Sequence, residues 1–220
     1  MKANAVTYIG FVQDHSGSMG SNVDLAISNF NEQRATLLKE DDETMDNIVT
    51  IIEFDDQIHC NVENMPISEV KQMNHWWTGG MTALYDAIGN CINNIRLKMD
   101  AEKRIDKAAL VIIQTDGQEN TSSDYAGEEG RQRIKNLIKE LEATGKWTFV
   151  FLGENIDKEV AVNMGFSFDN VMSHDKDKTK YAYSVTTDGL KNYMGTRKAG
   201  KTQVMNWYSQ GGDSGDNDNK

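Results

Sequence analysis

Asp14, Ser16 and Ser18 place a carboxylate and two hydroxyls on alternate residues of the segment AVTYIGFVQDHSGSMG, Ala5 to Gly20. The apolar run before Asp14 has strand character, and an amphipathic helix is predicted to begin near Gly20. The three oxygens then lie in a loop at the C-terminal end of a buried strand. Oxygen donors of this kind suit a hard divalent cation such as Mg²⁺, which wants octahedral geometry and keeps positions for water or an incoming ligand. Asp, Ser and Gly before a helix equally serve as an N-cap and turn. Metal ligation therefore depends on further donors elsewhere in the chain.

Two segments offer them. Thr78-Gly79-Gly80-Met81-Thr82 precedes ALYDAI, Ala83 to Ile88, which carries apolar residues at helical spacing. The near-continuous apolar run from Ala108 ends at Gln114 and is followed by Thr115-Asp116-Gly117. In a parallel sheet, loops at the carboxyl ends of the strands converge on one crevice. Asp14 and Asp116 are expected at two such ends, with Thr82 at the start of a helix. Two carboxylates and three hydroxyls would then surround one ion.

The elements that must position these groups alternate between strand and helix, which predicts an α/β sheet covered on both faces. Strands are expected over about 4–13, 48–54, 58–62, 107–114, 146–152 and 169–173. Helices are expected over about 20–39, 83–98, 127–143, 156–164 and 184–197, the last broken at Gly189. Only Asp55-Asp56-Gln57 separates the second and third strands, so the third is expected to be an antiparallel edge. The segment SQGGDSGDNDNK, residues 209–220, has no hydrophobic residue and reads as a disordered tail.

The set DxSxS, then GGxT leading into ALYDAI, then TDG, resembles the metal-ion-dependent adhesion site of von Willebrand factor A domains. Phe54-Asp55-Asp56 fits that family. TDGQEN from Thr115 and WTFVFLGEN from Trp147 are similar to small single-domain bacterial and bacteriophage members. The resemblance implies a Rossmann-like, doubly wound α/β fold over residues 1–208. It implies Mg²⁺ or Mn²⁺ bound directly by Ser16 and Ser18, and by Asp14 and Asp116 directly or through water. Thr82 would be a ligand that is direct in an engaged site and water-mediated in a resting one. Thr78 is the other hydroxyl of that loop, but Thr82 immediately precedes ALYDAI, where the family places its threonine. The resemblance implies a partner protein that offers an Asp or Glu side chain to the ion.

Around this site, His15, Trp76, Trp77 and Glu119 are candidates for a partner-binding rim. His15 is read as an outward-facing spacer, one of the two tryptophans as a core anchor, and the other as exposed beside the metal. Cys60 and Cys91 are read as inert core thiols. The net charge of −11, with no basic stripe, argues against nucleic acid as the main partner. No apolar run approaches the length of a membrane span, and the N-terminus does not read as a secretory signal. A cytoplasmic protein, or one carried in a virion, is expected.

Three function classes compete. The leading one is a non-enzymatic, metal-dependent protein-binding module. A second is a metal-dependent phosphatase-like hydrolase, which would need a second Asp where this chain has Ser16. A nucleotide-binding P-loop fails because Ser16 to Gly20 has no GK[ST] ending. The third is a structural component of a phage particle or larger complex, in which the metal site is auxiliary.

Overall fold

The computed structural model describes residues 3–209. Its six strands are β1 (Ala5–Asp14), β2 (Met45–Phe54), β3 (Ile58–Pro66), β4 (Asp106–Thr115), β5 (Trp147–Glu154) and β6 (Val171–His174). They form one sheet in the order β3-β2-β1-β4-β5-β6. All neighbouring pairs are parallel except β2 and β3, which are antiparallel. The helices are α1 (Val23–Lys39), α2 (Leu84–Ala101), α3 (Gly127–Ala143), α4 (Lys158–Asn163) and α5 (Thr179–Lys198). The fold is a mostly parallel Rossmann-like sheet with one antiparallel edge and helices on both faces, as the alternation of segments predicts.

All ten residues of β1 are buried, because both of its faces are covered and both of its edges are paired. Val6, Tyr8 and Val12 join the core beneath α2 and α3, while Ala5, Ile9 and Phe11 join the core beneath α1 and α5. Gly10 lets α2 approach the strand closely. A Cβ there would lie 2.9 Å from Ile95 Cδ1 and would collide with Cys91 Sγ. β1 is also where the strand order reverses, since β2 pairs on one side of it and β4 on the other. Open α/β sheets form their ligand crevice at such a point, outside the carboxyl ends of the strands.

Several boundaries differ from expectation. α1 starts at Val23, after a 3₁₀ turn over Gly17–Ser21 that is anchored by buried Met19. β3 runs on to Pro66 through register shifts opposite Val49 to Ile52, with Asn64 at φ 48°. Such a bulge, and a proline, are tolerated on an edge strand. Cys60 is exposed on that edge rather than in the core, because β3 lacks an outer neighbour; Cys91 is fully buried. α5 begins at Thr179 and passes through Gly189 unbroken, and the missing side chain there makes room for the Trp207 indole.

Trp207 belongs to a segment after α5 that the sequence pattern did not single out. Thr148 Oγ1 accepts from Val204 N at 2.9 Å, and Asn170 accepts from Trp207 N at 2.9 Å. Asn170 Nδ2 donates to Phe149 O and Val204 O. Together these bonds strap residues 203–208 across β5 and the loop before β6. The tail expected over 209–220 lies almost wholly outside the described residues. Among the described residues no helix is long and apolar enough to cross a membrane.

Candidate metal centre

The parallel register sets Asp14, at the end of β1, beside the end of β4. Asp14 is fully buried, and both its oxygens are held. Oδ1 accepts from Ser16 N at 2.7 Å, an Asx-type turn that bends the chain out of the strand. Oδ2 accepts from Thr115 Oγ1 at 2.5 Å. Thr115 was not a predicted site residue; its signal is its place directly before Asp116 on the adjacent strand.

The 3₁₀ turn then brings the serines to the crevice. Ser16 Oγ and Ser18 Oγ lie 3.2 Å apart, and Ser18 Oγ donates to Asp116 Oδ1 at 2.6 Å. Ser16, Ser18 and Asp116, from two loops 98 residues apart at their nearest bond, thus form one chain of side-chain oxygens, and the Ser16 amide ties Asp14 to it.

Thr82 is also buried and faces the same crevice. A Cβ built on Gly117 would sit 3.0 Å from Thr82 Oγ1 and 3.8 Å from Asp14 Oδ2. Gly117 therefore leaves a small cradle between the threonine hydroxyl and the carboxylate. Thr78 is exposed on the outer side of its loop, where Gly20 is its neighbour, so Thr82 is the hydroxyl of this segment at the site.

Burial makes both carboxylates reluctant anions. Desolvation raises the Asp14 pKa, with the Ser16 and Thr115 hydrogen bonds opposing it. Asp116 is pushed up to about 6 by burial and then by the nearby charge of Asp14, against the Ser18 hydrogen bond. A bound cation reverses this local logic and favours the charged carboxylates. The donor set fits a hard divalent ion: two carboxylates and three hydroxyls, with no nitrogen or sulfur among them. Among the described residues, no three His, Cys, Asp or Glu side chains group together to hold a metal, so the hydroxyls are essential to any ion bound here.

The expected rim needs correction. His15 is fully buried, not an outward spacer, because the segment before Thr82 lies across the end of β1. Its ring stacks on Trp76 at 4.1 Å and 3°, its Nδ1 pairs with Trp77 O at 2.9 Å, and its backbone carbonyl accepts from Gly79 N at 2.9 Å. Burial pulls the His15 pKa down to about 4, so the imidazole is neutral at pH 7. Trp76 is a buried anchor packed with Met19 and Ala26. Trp77 is half-buried; its Nε1 donates to Glu53 Oε2 at 3.4 Å, and His59 meets the ring edge-on at 5.2 Å.

Glu119 turns inward rather than standing on an open rim. Its Oε2 accepts from Tyr85 N at 2.9 Å and from Ser122 Oγ at 2.6 Å, and its Oε1 accepts from Thr121 N and Ser122 N. Asp86 reciprocates by accepting from the amides of Ser123 and Tyr125. The N-terminus of α2 is therefore capped by the loop after Asp116, since Ala83 at its own cap position has no side-chain acceptor.

No protein-family model and no curated protein matches this chain. Solved structures do share its fold. Proximal thread matrix protein 1 from the mussel byssus superposes with a TM-score of 0.57 and 18% identity over 88% of this chain and 48% of that one. The same protein with a zinc-occupied MIDAS motif gives 0.56 and 14% over 85% and 48%. The vWF domain of the type V pili tip protein Mfa5 from Porphyromonas gingivalis gives 0.58 and 9% over 91% and 97%. This chain thus spans about half of the thread matrix protein and nearly all of the Mfa5 domain.

Proposed function

Starting from a chain with the von Willebrand factor A-type fold, we propose a metal-dependent protein-binding module that engages a partner's Asp or Glu through a divalent cation. The observation that carries this reading is the convergence of Asp14, Ser16, Ser18, Thr82 and Asp116 on one crevice. The zinc-occupied MIDAS motif of a protein with the same fold supports it. Mg²⁺ or Mn²⁺ is the ion we assign, from the all-oxygen donor set.

A bound divalent ion would supply the attraction for the partner's carboxylate. The chain supplies the rest. Asp14, held at both oxygens, cannot swing out of the crevice. Ser16, Ser18 and Thr82 contribute neutral oxygens, so only two protein carboxylates offset a doubly charged ion and an anionic ligand is still attracted. No catalytic step is proposed. The imidazole of His15, the residue that follows Asp14, is locked between Trp76 and the Trp77 carbonyl.

The test is thermal melting in EDTA with Mg²⁺, Mn²⁺, Zn²⁺ or Ca²⁺ added back, for the wild type and Asp14→Ala. Ligands that bind the folded state raise the melting temperature by mass action. Stabilisation of the wild type alone, followed by EDTA-sensitive capture of a partner that free glutamate competes away, is the expected result. An ion effect of equal size in both proteins would place the ion elsewhere and sink the proposal.

A further inference from the structure

The loop after Asp116 grips Thr82 from both sides. Asn120 Oδ1 accepts from Thr82 N at 2.9 Å, and Asn120 N donates to Thr82 O at 3.1 Å. One residue thus completes a two-bond, strand-like bridge with the threonine, using its own side chain as the acceptor. Ala83 N, the next amide, donates to Asp55 O at 2.7 Å in the β2–β3 turn. Glu119 and Ser122 hold Tyr85 N and Asp86 N one turn further on. Thr82 is therefore not set by its own glycine-rich loop. It is set against Asp116 by a residue four positions after that carboxylate.

We infer that Asn120 is a positioning residue that fixes the spacing between the Thr82 hydroxyl and Asp116, and so determines which ion size the crevice accepts. This rests on the metal-binding reading above. Residues behind metal ligands commonly change affinity by about 10–100-fold when removed, because they orient the donor rather than touch the ion. Mg²⁺ takes oxygens at about 2.0–2.1 Å and demands near-ideal geometry, whereas Ca²⁺ takes them at about 2.3–2.6 Å in flexible arrangements. A Thr82 released from Asn120 would suit the larger, more tolerant ion better than the smaller one.

Asn120→Ala removes the side-chain half of the bridge and leaves the backbone half and the Glu119 contacts in place. Asn120→Asp keeps an oxygen acceptor for Thr82 N. Titration calorimetry with Mg²⁺ and Ca²⁺, and melting in EDTA, would be run on the wild type and both variants. The expected result is a Mg²⁺ affinity at least about tenfold weaker in Asn120→Ala, within the range for such orienting residues. Ca²⁺ affinity should fall less, Asn120→Asp should bind Mg²⁺ at least as tightly as the wild type, and the EDTA melts should nearly coincide.

A merely structural role would lower the EDTA melt and leave the Mg²⁺-to-Ca²⁺ ratio alone. That pattern, or unchanged affinities in Asn120→Ala, would overturn the inference. If the wild type bound neither ion, the metal reading would fall instead. Amide hydrogen exchange on the ion-free wild type tests the bridge even if Asn120→Ala does not fold. Thr82 N–H should be protected, and exchange at the rate of an open loop would refute the bridge.

Discussion

Gly117→Ala is the sharpest probe of the crevice. The new methyl would lie 3.0 Å from Thr82 Oγ1 and 3.8 Å from Asp14 Oδ2, between two of the proposed ligands. The backbone at Gly117 is not in the left-handed region, so an alanine adopts it without strain. Replacing glycine there restricts the unfolded chain, a gain of about 0.4–1 kcal/mol. The tight contact with Thr82 opposes that gain, so the ion-free protein should melt close to the wild type. Ion binding should suffer much more, because the methyl fills space that ligands at about 2.0–2.1 Å from a Mg²⁺ would need. At an Mg²⁺ concentration of about 100 times Kd, mass action stabilises the wild type by about 2.7 kcal/mol. A tenfold weaker Kd lowers this to about 1.4 kcal/mol. For a domain of this size, 1 kcal/mol corresponds to roughly 2–4 °C. Melting with and without EDTA should then show a Mg²⁺ shift about half as large in Gly117→Ala as in the wild type. Equal shifts in both proteins would mean that no ion sits between Thr82 and Asp14.

Other outcomes follow from the same structure. Asp116 carries a pKa raised from 3.8 to about 6. An acid held more protonated when folded stabilises the ion-free protein below about pH 4, and that stabilisation is lost as pH rises through about 6. Melting in EDTA across pH 4–7 should show this decline, and the Mg²⁺-induced shift should grow over the same range as the competing proton leaves. Arg197, buried in α5, donates to Thr7 Oγ1, Val6 O, Lys201 O and, at 2.8 Å, to Asp106. Arg197→Ala should cost about 1–3 kcal/mol in urea unfolding, by leaving the buried Thr7 Oγ1 and Val6 O without this donor while the more exposed Asp106 turns to water; a loss below about 0.5 kcal/mol would contradict the network. A thiol reagent should label exposed Cys60 and spare Cys91 until the protein unfolds. Burial raises the pKa of both thiols, so labelling of Cys60 should itself be slower than that of a free cysteine.

What the sequence displayed and what it hid divide along physical lines. The strands of the parallel sheet are legible because both faces are buried, which writes runs such as Ala108 to Ile113 as almost unbroken apolar residues. The DxSxS spacing is legible because Asp14, Ser16 and Ser18 act through a local turn. Contacts made between distant loops leave no local pattern. Thr115 reaching Asp14, and Asn120 and Glu119 reaching the start of α2, join residues 34 to 101 positions apart. One clue was available, since Ala83 cannot cap a helix and some other group had to. The burial of His15 was hidden for a related reason. The buried run of β1 says nothing about the segment that later folds over its end and sets Trp76 on the imidazole. Trp207 was missed because the stretch around it has neither helical nor strand periodicity. Its burial is visible only once Gly189 opens a notch for it.

The borrowed cap of α2 also constrains the order in which this chain can acquire its shape. A helix with its own capping residue can finish its first turn from nearby sequence. Here the amides of Tyr85 and Asp86 wait for Glu119 and Ser122, which arrive only after β4 has paired with β1. Closing a loop of that length carries an entropic cost that must be met before its contacts give anything back. The rigidity of the start of α2, and with it the position of Thr82, is therefore tied to the pairing of the central strands rather than to the helix's own sequence.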